Sequence, residues 1–247
     1  APHPWPLRAQ DASSTANTWR GRLLFPLLAV LLALPAAWLL LQPGFVATRA
    51  GGDSPFLLVR LHQMLAGLAD GFPVRWMPDA AYGLSYPFWD FYAPLPYYLA
   101  ALFARLGLGI VAPLKLTQLL GFLVAAAAMY ALAYDVWRSR AAGLLAAVAY
   151  TYAPFHLVNV YVRGDSLGEF WAFAFYPLVW LAARRVARAP GPAAVAGLAL
   201  AYAGLTLSHN ISALIFSPFL ALYILGVWLD RGADGRGLRF GLPLTCG

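Results

Sequence analysis

The sequence predicts an all-α, polytopic transmembrane helix bundle. Of its 247 residues, 62% are hydrophobic and only 11% are charged, and the mean hydropathy is +0.67. A water-soluble domain of this size carries a larger charged surface than this composition provides. Five or six runs approach the ~20 apolar residues that a helix needs to cross ~30 Å of hydrocarbon.

Arginines set the predicted topology, because positive charge near short loops marks the cytoplasmic side of a membrane protein. They form four clusters, at residues 20–22, 138–140, 184–188 and 231–239. If all four clusters are cytoplasmic, the chain crosses the membrane an even number of times between successive clusters. Six crossings meet this condition, namely Leu23–Leu41, Ile110–Tyr134, Ala141–Val158, Phe170–Ala183, Val195–Leu207 and Ile211–Leu229.

Two further segments are predicted as juxtamembrane helices at the outer surface. Asp53 and Ser54 suit a helix N-cap and Pro55 suits the first helical position, so a helix is expected over 55–69. The second segment, Leu95–Leu108, is short for a crossing and is broken by proline.

An alternative topology has Leu95–Leu108 span the membrane. It would place Arg138 and Arg140 outside and residues 163–169 inside. With six crossings instead, eleven arginines and four aspartates lie inside, giving +7, and six basic and six acidic residues lie outside. The basic composition therefore indicates topology and not nucleic-acid binding, since the arginines lie in short loops beside membrane helices.

The ends of the chain define the expected domain organisation. Residues 1–19, with Pro, Ser, Thr and Asn, predict a disordered cytoplasmic tail. The chain starts at Ala1 and stops at GLPLTCG, which has the composition of another apolar run. Residues 20–247 are therefore expected to be the N-terminal part of a transmembrane domain in a longer chain. The single cysteine, Cys246, excludes an internal disulfide.

Two predicted outer loops hold the candidate site residues. The long loop, 43–109, contains the aromatic stretch FPVRWMPDAAYGLSYPFWDFYAPLPYY, and the short loop, 159–169, contains Arg163, Asp165 and Glu169. The tetrapeptide RGDS at 163–166 matches a cell-adhesion motif. Adhesion would need an exposed loop on a secreted domain, and here the tetrapeptide is flanked by two strongly apolar runs.

The order of these features resembles the GT-C superfamily of polyprenyl-phosphate-sugar-dependent membrane glycosyltransferases. An outward first helix leads to an early acidic residue, then to GLSYPFWDFYAPLPYYLAALFARLG, and then to YDVWRSRAAGLLAAVAYTYAPF before a second acidic outer loop. The segment YVRGDSLGEFWAFAFYPLVWLA is most similar to large bacterial membrane proteins labelled as related to 6-pyruvoyl-tetrahydropterin synthase. That label implies no pterin chemistry. The resemblance covers roughly residues 20–230.

The resemblance implies transfer of a sugar from a polyprenyl-phosphate donor to an extracytoplasmic acceptor at the bacterial inner membrane. By position, Asp53 matches the carboxylate proposed as the general base for the acceptor. Asp165 and Glu169 match acidic residues that help to bind the donor or a divalent metal ion, Mg²⁺ or Mn²⁺. Many members carry a tighter acidic pair at that place.

The chemistry adds further candidates. A carboxylate must take a hydroxyl proton as the anomeric carbon is attacked, and cations must stabilise the departing phosphate. The candidate cations are Arg60, Arg75 and Arg163. Asp90, inside an aromatic cluster, is a candidate sugar contact, and His209, at the outer end of the fifth crossing, is a candidate substrate ligand.

Each candidate also has a structural interpretation. Asp53 suits a helix N-cap, and Ser166 with Glu169 suits a capping box at the start of the fourth crossing. Arg163 suits an anchor at headgroup level, and His209 suits a connecting turn. The alternative function is a non-catalytic membrane protein that binds or transports lipid-linked glycans.

Overall fold

The computed structural model describes residues 19–44, 54–164 and 166–233, and these residues form helices and no β-strand. The helices are α1 (Trp19–Ala33), α2 (Trp38–Leu41), α3 (Ser54–Asp70), α4 (Ala80–Gly83), α5 (Phe88–Phe91), α6 (Leu95–Ala104), α7 (Val111–Trp137), α8 (Arg140–Thr151), α9 (Pro154–Tyr161), α10 (Leu167–Arg188), α11 (Pro192–Ser208) and α12 (Asn210–Ala233). A 3-10 turn, Leu34–Ala37, joins α1 to α2. The all-α prediction is confirmed.

Three stretches of the described chain are long and apolar enough to cross a membrane: Leu23–Leu41, Val111–Trp137 and Asn210–Val227. Helices α8 and α9 form a fourth candidate span, which is bent by 40°. The sequence had predicted one unbroken helix over Ala141–Val158. The break falls before Pro154, whose ring lacks an N–H and disfavours helical geometry in the residue that precedes it.

Helix α7 is at the centre of the bundle and contacts α1, α6, α8 and α10. It runs parallel to α10, because Gly121 faces the Phe170 ring near one end of the pair and Asp135 binds Arg184 near the other. It runs antiparallel to α8, because Tyr130 faces Gly143 whereas the earlier Phe122 contacts a residue of α9.

The remaining long helices continue the alternation. Helix α11 runs antiparallel to α10, since Ser208 contacts Gly168 and Gly204 contacts Phe175. Helix α12 runs parallel to α10, since Tyr176 packs on Phe216 and Trp180 packs on Tyr223. In α1, Phe25 lies beneath Arg140 and Leu32 accepts a bond from Tyr152, so α1 is parallel to α8. The described chain therefore makes six passes along the bundle, in alternating directions.

These passes give the bundle two ends of different chemistry. The arginine end carries residues 135–140 and 184–188, which meet through Asp135. The loop end carries residues 42–44, 71–109, 162–164, 166–169 and 209–212. Lys115 at the start of α7 donates to the carbonyl groups of Gln42 and Gly44, which ties the end of the first pass to the loop end.

Two helices at the loop end match the predicted juxtamembrane helices. Helix α3 extends the predicted range, 55–69, by one residue at each end and buries Leu57, Leu61 and Met64 on one face. Helix α6 has ten residues, about 15 Å at the helical rise, which is too short to cross a bilayer. It ends earlier than the predicted Leu95–Leu108, because Gly107 and Gly109 adopt left-handed backbone conformations.

Of the predicted tail, residues 1–19, only Trp19 belongs to the described chain, where it begins α1.

Candidate functional site

The turn between α9 and α10 carries an ion pair at the loop end. Arg163 Nη1 donates to Glu169 Oε2 at 2.5 Å and to Asn159 Oδ1 at 3.2 Å. Asn159 is buried, whereas the side chain of Arg163 is 46% exposed. Two predicted site residues are therefore in direct contact, and a buried amide fixes the position of the arginine. Asp165, which lies between them in the sequence, is outside the described residues.

This ion pair replaces the capping box predicted for α10. Ser166 does occupy the N-cap position, but its side chain makes no capping hydrogen bond. Glu169 binds Arg163 instead of reaching back to the backbone. The capping-box interpretation is wrong because the Glu169 carboxylate pairs with the full positive charge of Arg163 instead of a neutral backbone N–H.

His209 ends α11 and lies beside the ion pair. The backbone N–H of Ser212 donates to His209 Nδ1 at 3.3 Å, and the Ser212 hydroxyl lies 2.7 Å from the same atom. An accepting Nδ1 places the proton of the neutral ring on Nε2. Burial lowers the pKa of His209, Glu169 opposes this effect and Arg163 adds to it. The ring is therefore kept neutral with Nε2–H as a donor.

Gly168 allows α11 to approach this part of α10 closely. A Cβ atom at Gly168 would lie 2.5 Å from the carbonyl oxygen of Ser208 and 3.4 Å from Cδ2 of His209. Only a residue without a side chain permits this contact. The close approach brings His209 next to the first turn of α10.

Two buried polar atoms adjoin this cluster without a hydrogen-bond partner in the described chain. They are Nδ2 of Asn159, whose carbonyl oxygen binds Arg163, and Oγ of Ser208, the residue before His209. Leaving such a group unpaired costs about 1–3 kcal/mol. Unpaired buried groups at one place are typical of a site that binds a polar ligand or water.

An apolar groove leads from the cluster along the bundle. Glu169, Phe173, Tyr176 and Trp180 follow each other on one face of α10, and Ser212, Phe216 and Phe219 do so on α12. The aromatic residues line a cavity of about 340 Å³, whose walls include Tyr150, Phe173, Tyr176, Trp180, Phe216 and Phe219. Tyr176 also lies close to Glu169 and Ser212. The charged cluster thus lies one helical turn before the first aromatic residue of this cavity on α10.

The first loop contributes a second ion pair at the loop end. Arg75 Nε donates to Asp90 Oδ1 at 2.7 Å. Both residues line a cleft of about 610 Å³ together with Trp89, Tyr98 and Leu207. Two of the predicted substrate-binding residues therefore bind each other, and they do so at the wall of an aromatic cleft.

The structure places Arg60 among aromatic rings. Its guanidinium lies 4.9 Å from the ring centre of Tyr92 and 5.5 Å from that of Phe88, and it donates to the Tyr97 hydroxyl at 3.4 Å. Tyr97 is fully buried, and this burial raises the pKa of its hydroxyl. Cation–π contacts of this kind hold the outer helices together. Arg60 thus packs α3 against α5 and α6.

The two loop regions meet at the end of α11. Asn210 Nδ2 donates to the carbonyl oxygen of Phe91 at 3.0 Å. Leu207, one turn before this residue, lines the cleft that holds Asp90. His209 therefore lies between the aromatic cleft of the first loop and the ion pair at Glu169.

The predicted base and one predicted metal ligand, Asp53 and Asp165, lie outside the described residues. Ser54, which follows Asp53, begins α3. Among the described residues, no three His, Cys, Asp or Glu side chains come together as a metal-binding group. Glu169 is engaged by Arg163. The donor set in the described chain does not fit a divalent cation.

Asn159, Ser208 and Ser212 were not among the residues predicted from the sequence. Ser212 stands three residues after His209, the spacing between a residue just before a helix and the backbone N–H that its side chain caps. Asn159 likewise precedes Arg163 by four residues. These spacings were available in the sequence, whereas the position of Ser208 against α10 depends on packing between helices.

Comparisons with known proteins identify the family. No solved structure matches the chain. An uncharacterized protein of Lactococcus lactis subsp. cremoris (strain MG1363) is 26% identical over 188 residues, which make up 74% of this chain and 30% of the relative. The model of the 6-pyruvoyl-tetrahydropterin synthase related domain, described as a membrane protein, matches residues 89–233, including Arg163, Glu169 and His209. Since the match covers more than half of the sequence, the chain belongs to the family of membrane proteins with a 6-pyruvoyl-tetrahydropterin synthase related domain.

Proposed function

We propose that this protein transfers a sugar from a polyprenyl-phosphate donor to an extracytoplasmic acceptor at the bacterial inner membrane. One arrangement carries the proposal: the cluster of Arg163, Glu169 and His209 adjoins Tyr176, which lies close to Glu169 and lines the aromatic cavity between α10 and α12. A polyprenyl phosphate joins an anionic headgroup to a long apolar chain. The cluster offers a cation and a neutral donor, and the adjoining cavity offers apolar walls.

The headgroup would bind at Arg163 and His209. Arg163 donates from Nη1 to Glu169 and Asn159. The N–H groups on Nε and Nη2 of its planar guanidinium can donate to a further acceptor. His209 offers Nε2–H, because its Nδ1 accepts from Ser212. Phosphate oxygens are the acceptors that such a pair of donors suits best.

The proposal includes a GT-C-like arrangement with six crossings. The alternating directions of the six passes support it, and α10, with 22 residues, is about 33 Å long. The charge rule then puts the arginine end and the N-terminus in the cytoplasm, and the site residues outside. Helix α11 is short and helix α10 carries charged residues, so neither has the composition of an isolated membrane span. Both cross within the bundle, where neighbouring helices cover one side of each.

Chemistry would follow the inverting route. Asp53 takes the proton of the acceptor hydroxyl as the acceptor oxygen forms its bond to the anomeric carbon. The bond from that carbon to the lipid phosphate breaks, and its electron pair leaves with the phosphate. Arg163 and His209 stabilise the charge that develops there. The aromatic cleft beside Asp90 offers ring faces and a carboxylate for the acceptor.

A second candidate function, binding or transport of lipid-linked glycans without catalysis, is favoured by a specific observation. Three described carboxylates at the loop end are already engaged, Glu169 by Arg163, Asp90 by Arg75 and Asp79 by Gln63. These three carboxylates bind neighbouring side chains, so none of them is placed to act as a general base. In the catalytic hypothesis that role belongs to Asp53.

Transfer assays with the protein in proteoliposomes test the two functions. With a polyprenyl-phosphate sugar that the unaltered protein accepts, Asp53→Asn should lower the transfer rate by roughly 10²–10⁴-fold, as expected for a lost general base. Asn caps a helix nearly as well as Asp, whereas Ala costs about 1 kcal/mol, so Asp53→Ala serves as the comparison for a capping role.

Three outcomes separate the hypotheses. A rate that Asp53→Asn leaves unchanged contradicts the catalytic role of Asp53. Loss of stability in Asp53→Ala alone, with full activity in Asp53→Asn, identifies a cap. Saturable binding of the donor without transfer by the unaltered protein, across a panel of such donors and hydroxyl acceptors, favours the non-catalytic function.

A further inference from the structure

We infer that the arginine end holds a binding site for an anionic phospholipid, with the phosphodiester bound by Arg138, Arg140 and Arg185. These three side chains line a cavity of about 570 Å³ between α1, α7 and α10. The site lies at the opposite end of the bundle from the ion pair of Arg163 and Glu169. It is independent of the proposed glycosyl transfer.

The charge balance of this cavity is strongly positive. Asp135 accepts bonds from Arg184 Nε at 3.0 Å and from Arg188 Nη1 at 2.6 Å, so its charge is compensated by these two residues. Arg185 lines the same cavity and brings a further positive charge. Arg138 reaches Asp135 only at 3.3 Å, and the Arg140 guanidinium lies over the Phe25 ring at 5.0 Å. An anion in the cavity would reduce this excess charge.

The backbone at Arg138 gives independent support. Arg138 caps α7 with φ 54° and ψ 22°, a left-handed conformation. Glycine is the usual residue at such a helix end, because an L side chain is disfavoured there. An unfavourable conformation held at a cavity wall is a sign of a functional constraint. This conformation places the Arg138 side chain at the cavity wall.

The apolar wall identifies a lipid rather than a free anion. Pro26, Ala127 and Leu181 line the same cavity, and the rings of Tyr130 and Tyr134 stack beside them with centres 6.1 Å apart. A free phosphate ion gains nothing from contact with apolar residues, whereas an acyl chain is stabilised by burial against them. Arginine forks bind phosphate oxygens well, and anionic lipids attract basic residues next to membrane helices.

Lipid retention tests this inference directly. The protein is purified in detergent, supplied with dioleoyl phosphatidylglycerol or dioleoyl phosphatidylcholine, and analysed by native mass spectrometry. We expect about tenfold tighter binding of phosphatidylglycerol, in line with one or two charge-assisted hydrogen bonds. Combining Arg138→Gly with Arg185→Gln should abolish this preference. Arg105→Gln, which removes an exposed arginine at the loop end, should leave it intact.

The variants are chosen so that folding does not obscure the result. Gly suits the left-handed conformation at position 138, so Arg138→Gly should not lower the unfolding temperature in the absence of lipid. Equal binding of the two lipids by the unaltered protein would overturn the inference. So would a phosphatidylglycerol preference that survives in the double variant. Displacement of the lipid by millimolar glycerol 3-phosphate would show a free-anion site and would also overturn it.

Discussion

Arg163 and Glu169 close the turn between α9 and α10 with an ion pair in which Nη1 and Oε2 are 2.5 Å apart. The pair does more than join two helices. Glu169 lies in the first turn of α10, where negative charge is favoured by the helix dipole, and it holds a cation one turn before Phe173, which lines the aromatic cavity. A residue that suits a structural role therefore also positions the arginine for a phosphate.

Arg163→Gln should weaken binding of a polyprenyl phosphate by roughly tenfold or more, because a charge-assisted bond to phosphate contributes about 1.5–3 kcal/mol. Arg163→Lys keeps the charge but loses the planar fork, so an intermediate loss is expected. Glu169→Gln should have a smaller effect than Arg163→Gln, since the Asn159 carbonyl still holds the arginine. Titration of the detergent-solubilised protein with a fluorescent polyprenyl phosphate measures all three.

Arg105→Gln is the control for this series, because Arg105 is an exposed arginine at the loop end outside the cluster. If Arg105→Gln and Arg163→Gln weaken binding equally, the effect comes from general surface charge and the proposed headgroup site is wrong.

Accessible cysteines test the topology. In a Cys246→Ser background, single cysteines at Leu84 and Val162 should react on intact cells with a membrane-impermeant thiol reagent, whereas cysteines at Ser139 and Ala189 should not. All four positions are exposed in the structure, so solvent access within the fold does not limit the reaction. The expectation rests on the arginine end being cytoplasmic.

Permeabilised cells supply the control, because all four cysteines should then react. Ser166 is unsuitable as a reporter, since only 7% of it is exposed. Labelling of a cysteine at Ser139 on intact cells would contradict the proposed orientation. The candidate site would then lie on the cytoplasmic side.

Much of the fold could be predicted from apolar runs alone. The first candidate span, Leu23–Leu41, has the predicted bounds, and the candidate spans Val111–Trp137 and Asn210–Val227 lie close to theirs. Such runs can be recognised from sequence alone, because a helix that crosses the hydrocarbon layer needs about 20 consecutive apolar residues. The bend before α9 was missed, although Pro154 marks it, because hydrophobicity continues unbroken across the proline. Helix α10 reaches Arg188, beyond the predicted end at Ala183, since arginines near a membrane surface do not stop a helix.

The site was less accessible to sequence reasoning. Arg163 and Glu169 were predicted individually, but their mutual contact competed with a capping box that fits the same residues. Arg75 and Asp90 are fifteen residues apart, so their ion pair depends on how the aromatic loop folds. The groove requires α10 and α12 to be adjacent, which no local pattern in the sequence specifies.

The acid dependence of stability should report on His209. Its pKa is lowered in the fold, chiefly by burial, from the ordinary value of 6.5. As the pH falls, the unfolded chain therefore binds a proton at His209 more readily than the folded protein does, and the folded state loses stability. This loss should begin near the ordinary value and continue until the folded pKa is reached. His209→Gln removes the titrating group.

Thermal unfolding of the two proteins between about pH 5 and pH 8 measures this effect. The unfolding temperature of the unaltered protein should fall relative to that of His209→Gln as the medium becomes acidic. Glu169 and Arg163, which face the ring, are common to both proteins. A constant difference in unfolding temperature across the range would show that His209 is not held neutral.

Close packing of α11 on α10 can be tested with two glycines of the same helix. A Cβ atom at Gly204 would lie 2.1 Å from Cε1 of Phe175, and at Gly197 it would meet no atom within 4 Å. Gly204→Ala should destabilise the protein by about 1–3 kcal/mol, as overpacking does. Gly197→Ala should be neutral or stabilise by about 0.5–1 kcal/mol, because alanine favours the helix. Unfolding of both variants in detergent, followed by circular dichroism, compares them.

The ring of Phe175 makes the test specific. It packs against Trp171 with ring centres 6.3 Å apart, so it has a neighbour that limits its movement away from a new methyl group. Phe175→Leu removes the atoms with which the methyl group clashes, and the double variant Gly204→Ala with Phe175→Leu should therefore be more stable than the sum of the two single changes implies. Equal stability of Gly204→Ala and Gly197→Ala would mean that α11 lies farther from α10, and the position of His209 beside Glu169, which depends on that contact, would then be wrong.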